Sequence, residues 1–211
     1  MSIAQGQQAV ASDMNSMVPI GVPLPFFGSA TYLPADHLIL DGSTIGDASS
    51  GSTARANADT QTLFTLLWNS IANTELIIQT SGGSPTTRGA SASADFAAHK
   101  RMPLPDMRGY TMGGYKSGDA NFGTLGKQVG EATHKLVVAE LASHRHRIWE
   151  QIGSAGSYSA VNIPSVNSMQ YLDVSSYAST PLIENSGGDT PHNNIQPTIT
   201  INWIIRYRYY A

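Results

Sequence analysis

Twelve residues near the C-terminal end, from Thr198 to Tyr209, alternate with a period of two. Ile199, Ile201, Trp203, Ile205, Tyr207 and Tyr209 form one set; Thr198, Thr200, Asn202, Ile204, Arg206 and Arg208 form the other. That period is the repeat of a β-strand, and β-branched and aromatic side chains suit a pleated, half-buried surface. A strand this long and this apolar would pair with other chains if its edges stayed free. It must therefore be paired inside the domain or against another subunit.

The rest of the sequence supplies candidates for its partners. Pro19, Pro23 and Pro25 fall within the ten residues Val18 to Phe27. Prolines at that density exclude a helix and predict extended chain or an edge strand, with a turn at Gly28. Leu38-Ile39-Leu40 running into Asp41-Gly42 reads as a strand ending in a turn. Leu63, Phe64, Leu67, Trp68 and Ile71 fall on one helical face, which predicts a core-packed helix with Asp59 as its N-cap. Residues 47–58 and 79–101 read as polar loops, and the glycines at 113, 114, 118, 123, 126 and 130 predict turns. Leu136-Val137-Val138 and Ser143 to Ile148 read as short β segments around an Ala139-Glu140-Leu141 turn. The expected fold is mainly β with one short α-helix. The expected organisation is an attachment segment at 1–17, a domain at 18–130 and a tip region at 131–211 that includes the C-terminal strand.

Composition narrows the function. Only 13% of residues are charged, yet 41% are hydrophobic, which is not the balance of a disordered chain. The formal net charge is -3, and basic residues cluster only at Lys100-Arg101 and Arg206-Tyr207-Arg208, so no nucleic-acid partner is expected. There is no cysteine. No run approaches the ~20 apolar residues of a membrane span, and residues 1–17 lack the features of a secretion signal, so no membrane insertion is expected. Gly126-Lys127-Gln128 fails the phosphate-loop pattern at its last position, and no Gly-x-Ser-x-Gly elbow occurs. The expectation is a protein that is not an enzyme.

Two features carry candidate chemistry. His144 and His146 are two apart, so on a strand their imidazoles point to the same side, a donor pair suited to zinc, iron, nickel or copper. A tetrahedral site closed within one chain would need two more ligands, for which His134 and His192 are the options. Residues 151–190 contain nine Ser, no Lys or Arg and only three acids. Tyr158, Tyr171 and Tyr177 within this neutral stretch are candidate receptor-binding residues, since tyrosine offers an apolar face and a hydroxyl at low entropic cost.

Read in order, several short pieces form a recognisable series. They are Pro19-Ile20-Gly21, Leu40-Asp41-Gly42, the helix with Leu63-Phe64, Leu104-Pro105-Asp106-Met107-Arg108-Gly109 and Gly130-Glu131-Ala132-Thr133-His134-Lys135-Leu136. Ala139-Glu140-Leu141-Ala142-Ser143-His144-x-His146, Pro191-His192-Asn193-Asn194-Ile195-Gln196-Pro197 and Thr200 to Tyr207 complete it. Across residues 18–210 the series resembles the tail-collar proteins of bacteriophages, with departures: Leu40 stands where many members have Cys, and the loop at 74–101 is long. The resemblance implies a collar-type α+β fold, an intertwined homotrimer and a tail fibre binding a host surface glycan such as lipopolysaccharide. It also implies one structural zinc or iron ion per trimer on His144 and His146, and attachment to a baseplate or tail protein through the N-terminus. The location implied is the virion tail, after synthesis in the host cytoplasm and release by lysis. A purely structural baseplate component and a tail-associated polysaccharide depolymerase are the alternatives.

Overall fold

The computed structural model describes residues 18–143 and 188–209. They divide into two compact units, one drawn from Met1–Gly130 and Pro197–Ala211, the other from Glu131–Gln196. The C-terminal strand thus belongs with the unit that precedes residue 131.

The first unit is built on the strand that the C-terminal alternation predicts. Strand β8 (Asn202–Arg206) lies between β1 (Pro23–Phe26) and β2 (His37–Ile39), antiparallel to both. The register places Leu24 and Ile39 on either side of Ile204, and Leu38 beside Ile205. Pro23 and Pro25 are two apart on an edge strand, so their missing amides fall on the side that has no neighbour. The five-residue strand is shorter than the twelve-residue alternation predicts, because its partners supply only four and three residues. Beyond those partners the pattern lapses: Ile199 is 80% exposed. The alternation also fails within the strand, since Ile204 and Arg206 are buried along with Ile205 and Tyr207. A central strand covered on both faces buries both residue sets.

A second small sheet joins β3 (Thr44–Gly46), β4 (Arg55–Ala56) and β5 (Met102–Pro103) in the order β4-β3-β5, with β3 and β4 parallel and β3 and β5 antiparallel. Helix α1 (Gln61–Ser70) buries Leu63, Phe64 and Leu67 in the core, with Trp68 and Ile71 packed at its margin. Ile45, Met102, Leu104, Leu38 and Ile205 complete that core from the two sheets and the chain beyond β5.

Asp59 does not cap α1. A short 3-10 turn, Ala58–Thr60, precedes the helix; Asn57 caps that turn, and the Asp59 carboxylate instead accepts two hydrogen bonds from Arg55 at 2.7 and 2.6 Å.

Residues 79–101 are not one open loop. They contain a second helix, α2 (Ala92–Ala97), capped by the Ser91 hydroxyl accepting from the Ala94 amide at 3.1 Å. Phe96 of α2 packs edge-on against Phe64 with ring centroids 5.1 Å apart. Asp95 fixes the segment: Trp68 Nε1 donates to it at 2.8 Å, the Gly89 amide at 2.9 Å, and Lys100 Nζ pairs with it at 2.7 Å. The fold is therefore mixed α and β, with mostly antiparallel sheets and two short helices among the described residues.

In the second unit, β6 (Thr133–His134) pairs antiparallel with β7 (His192–Asn193). Leu136 and Val137 are not strand, and the turn predicted at Ala139-Glu140-Leu141 forms as a 3-10 turn over Val138–Glu140.

Candidate functional site

A concavity of the first unit begins where α1 stops. Ile71 leaves the helix with extended backbone, and Ala72 accepts the amides of Glu75 and Leu76 in the turn that follows. Opposite this turn runs the segment Leu104 to Gly130. Leu104 and Met107 donate their amides to Ser43 and Leu40, tying the start of the segment to the core. Asp106 accepts from the Arg108 guanidinium at 2.9 and 2.7 Å, and these bonds hold its carboxyl below the usual range. Gln128 Nε2 then reaches back to the Asp106 carbonyl at 3.0 Å, closing the segment on itself.

Between these ties the loop is ordered by local hydrogen bonds. Asp119 accepts from the Phe122 and Asn121 amides, which lower its pKa, and the Lys116 amide donates to the Phe122 carbonyl at 2.9 Å. Lys127 Nζ donates to the Ala120 carbonyl at 2.7 Å. Gly126 has φ +81°, and a Cβ there would stand 2.8 Å from Ile71 Cγ2. The resulting cleft has a volume of about 1190 Å³. Tyr110, Met112, Tyr115, Phe122 and Leu125 line it and are all exposed, with polar groups from Thr74, Asn121 and Gln128 and the charged side chains of Glu75, Asp106 and Lys127 among them.

Exposed aromatic faces beside amide and hydroxyl groups are the donor set that suits a saccharide, whose C–H faces pack on rings while its hydroxyls hydrogen-bond. The glycine pattern at 113–130 signals the turns of this loop. Nothing in its spacing marks Tyr110, Tyr115 and Phe122 as lining one cleft, because a loop has no repeat from which to read facing residues.

The second unit holds a different cluster. His134 and His192 are cross-strand partners whose rings meet edge-on, 5.8 Å apart. They are the two histidines that the sequence offers as additional ligands. The carboxylates of Glu131 and Glu140 lie on opposite nitrogens of His134. Among the described residues no group of three or more His, Cys, Asp or Glu is arranged to hold a metal ion. His144, His146, Tyr158, Tyr171 and Tyr177 lie outside the described residues. Leu136, Val137, Val138, Leu141 and Ile195 are exposed, with Val138 87% accessible.

No family model matches the chain, and no curated protein matches it. Among solved structures it is similar to the C24 protein from the Antarctic microorganism Bizionia argentinensis. The two share 15% identity over 95% of this chain and 67% of the other, with a TM-score of 0.35. A likeness that weak carries no argument about fold or function.

Among the described residues no helix is long and apolar enough to cross a membrane.

Proposed function

We propose that this chain is the receptor-binding end of a bacteriophage tail fibre. It acts in the virion tail as a homotrimer that binds a host surface glycan such as lipopolysaccharide and attaches to the tail through its N-terminal segment. The observation that carries the reading is the cleft, where three exposed aromatic rings stand among neutral hydrogen-bonding groups and the charged side chains of Glu75, Asp106 and Lys127. The ordered motifs from Pro19-Ile20-Gly21 to the C-terminal strand support the same reading.

The homotrimer is supported by apolar surface. Five large apolar side chains of the second unit stand exposed in the single chain, and contact with further copies would cover them. Three copies also present three weak glycan sites at once, which raises avidity by ~10²–10⁴ without a new contact. A structural zinc or iron ion on His144 and His146 belongs to the same reading, as two imidazoles per chain are a donor set such an ion accepts. Adhesion through the cleft does not depend on it.

The test is binding of purified protein to host cells and to their lipopolysaccharide, with native mass spectrometry of the same sample. Saturable binding by a trimer supports the adhesin. A trimer that binds neither cells nor lipopolysaccharide would make the chain a structural tail component. Release of reducing ends from host polysaccharide would make it a depolymerase.

A further inference from the structure

His134 carries a carboxylate on each ring nitrogen. Glu131, three residues earlier, meets Nδ1, and Glu140, at the end of the 3-10 turn, meets Nε2 at 2.8 Å. A neutral imidazole has one N–H and one lone pair, so it can donate to only one of two carboxylates. Both contacts are hydrogen bonds to ionised carboxylates only when the ring is imidazolium. Glu140 Oε2 also accepts the Val137 amide at 2.8 Å, which favours its ionised form.

The surrounding groups complete the picture. His192 faces the ring from β7. Lys135, next along β6, pairs with Asp189 at 3.4 Å. Glu131, Glu140, His192, Lys135 and Asp189 are thus the titratable neighbours among the described residues. The pairing they surround is short: Thr133 with Asn193, His134 with His192, and the Asn194 amide donating to Ala132 at 2.9 Å. A two-residue ladder is marginal by itself, so side-chain ties decide whether it holds.

We infer that His134 is a proton-operated latch: as an imidazolium it binds the Glu131 turn, strand β6 and the 3-10 turn together, and losing its proton releases one of the two carboxylates. The hydrogen bonds from Glu140 and then Glu131 raise the His134 pKa above its ordinary value, while the Val137 amide and then His134 lower that of Glu140. The sign follows. A raised histidine pKa gives stability that is complete below the unfolded value and lost as pH rises through the folded value. A depressed glutamate pKa gives stability that is present above its unfolded value and lost as pH falls through the folded one. The latch is therefore closed while His134 keeps its proton and opens as pH rises through its raised folded-state pKa.

The experiment is an NMR titration of the full chain with ¹⁵N-labelled histidine, read with amide exchange at Asn194. His134 is expected to keep both ring nitrogens protonated to higher pH than an ordinary histidine, and Glu140→Gln to lower its midpoint. Asn194 protection, corrected for intrinsic base catalysis, should fall through the wild-type midpoint, and His134→Gln should remove that step. An ordinary midpoint that Glu140→Gln leaves unmoved overturns the latch. So does Asn194 protection that stays flat while His134 titrates. Neither readout involves a glycan, so failure here is separate from failure of the adhesin reading.

Discussion

Arg206 Nε lies 2.9 Å from Asp36 Oδ2, an ion pair whose side chains are 2% and 4% exposed. The pair joins the last strand to the residue preceding β2. Its guanidinium also donates to the Val18 carbonyl at 2.8 Å, so one side chain ties both ends of the first unit. Removing one partner of a buried ion pair strands the other charge, which typically costs about 3–5 kcal/mol. Arg206→Met should therefore lower stability by about that amount, and chemical denaturation at constant slope would measure it.

The same site predicts an acid limb. Burial alone would raise the Asp36 pKa, but the His37 hydrogen bond and the charges of His37 and Arg206 outweigh it, and the net shift is downward. A depressed folded pKa gives stability that is present above the unfolded value of about 3.8 and lost as pH falls through the folded value. Wild-type stability should thus decline below about pH 4, and Asp36→Asn should flatten that decline. Denaturation midpoints of the two proteins across the acid range check this.

How legible these relationships were depends on whether they repeat. The C-terminal strand, the proline-bearing edge strand and helix α1 each carry a period or a breaker that a single sequence displays. Helix α2 was missed because six residues with one large apolar side chain, Phe96, among small and polar ones give almost no amphipathic signal. Its trace is Ser91 placed to cap a run containing three alanines. The length of β8 was set by its short neighbours rather than by its own pattern. Asp59 reads as a cap by position, yet Arg55 claims its carboxylate, and no local rule announces a competing ion pair. Of the candidate site, the loop turns were visible as glycines, while the convergence of Tyr110, Tyr115 and Phe122 arises only from tertiary ties such as Gln128 to Asp106.

The loop offers a matched pair of glycines that separates backbone strain from crowding. Gly118 and Gly126 have φ +78° and +81°, but a Cβ at Gly118 would meet nothing within 4 Å, whereas at Gly126 it would meet Ile71. Left-handed backbone costs an L residue about 1–2 kcal/mol. Gly118→Ala should lose about that much. Gly126→Ala should lose more and also displace the loop from the end of α1. Thermal denaturation of both variants gives the comparison, and equal losses would mean that the contact with Ile71 yields freely.

The cleft predicts a separation of binding from stability. Tyr115 is exposed in its wall, so truncating it removes contact area for a ligand and little from the folded core. Exposed substitutions usually change stability by no more than about 0.5 kcal/mol. One aromatic contact is worth about 0.5–1.5 kcal/mol, so Tyr115→Ala should weaken binding of a single glycan several-fold. In the proposed trimer three weakened sites would act together on a surface dense in receptor, and the loss should be steeper than for a soluble fragment. Isothermal titration with an oligosaccharide from host lipopolysaccharide, beside adsorption to whole cells, reads both. Lost adsorption with unchanged melting temperature assigns the cleft to the receptor. Unchanged adsorption in Tyr115→Ala and Phe122→Ala together would remove the cleft from recognition.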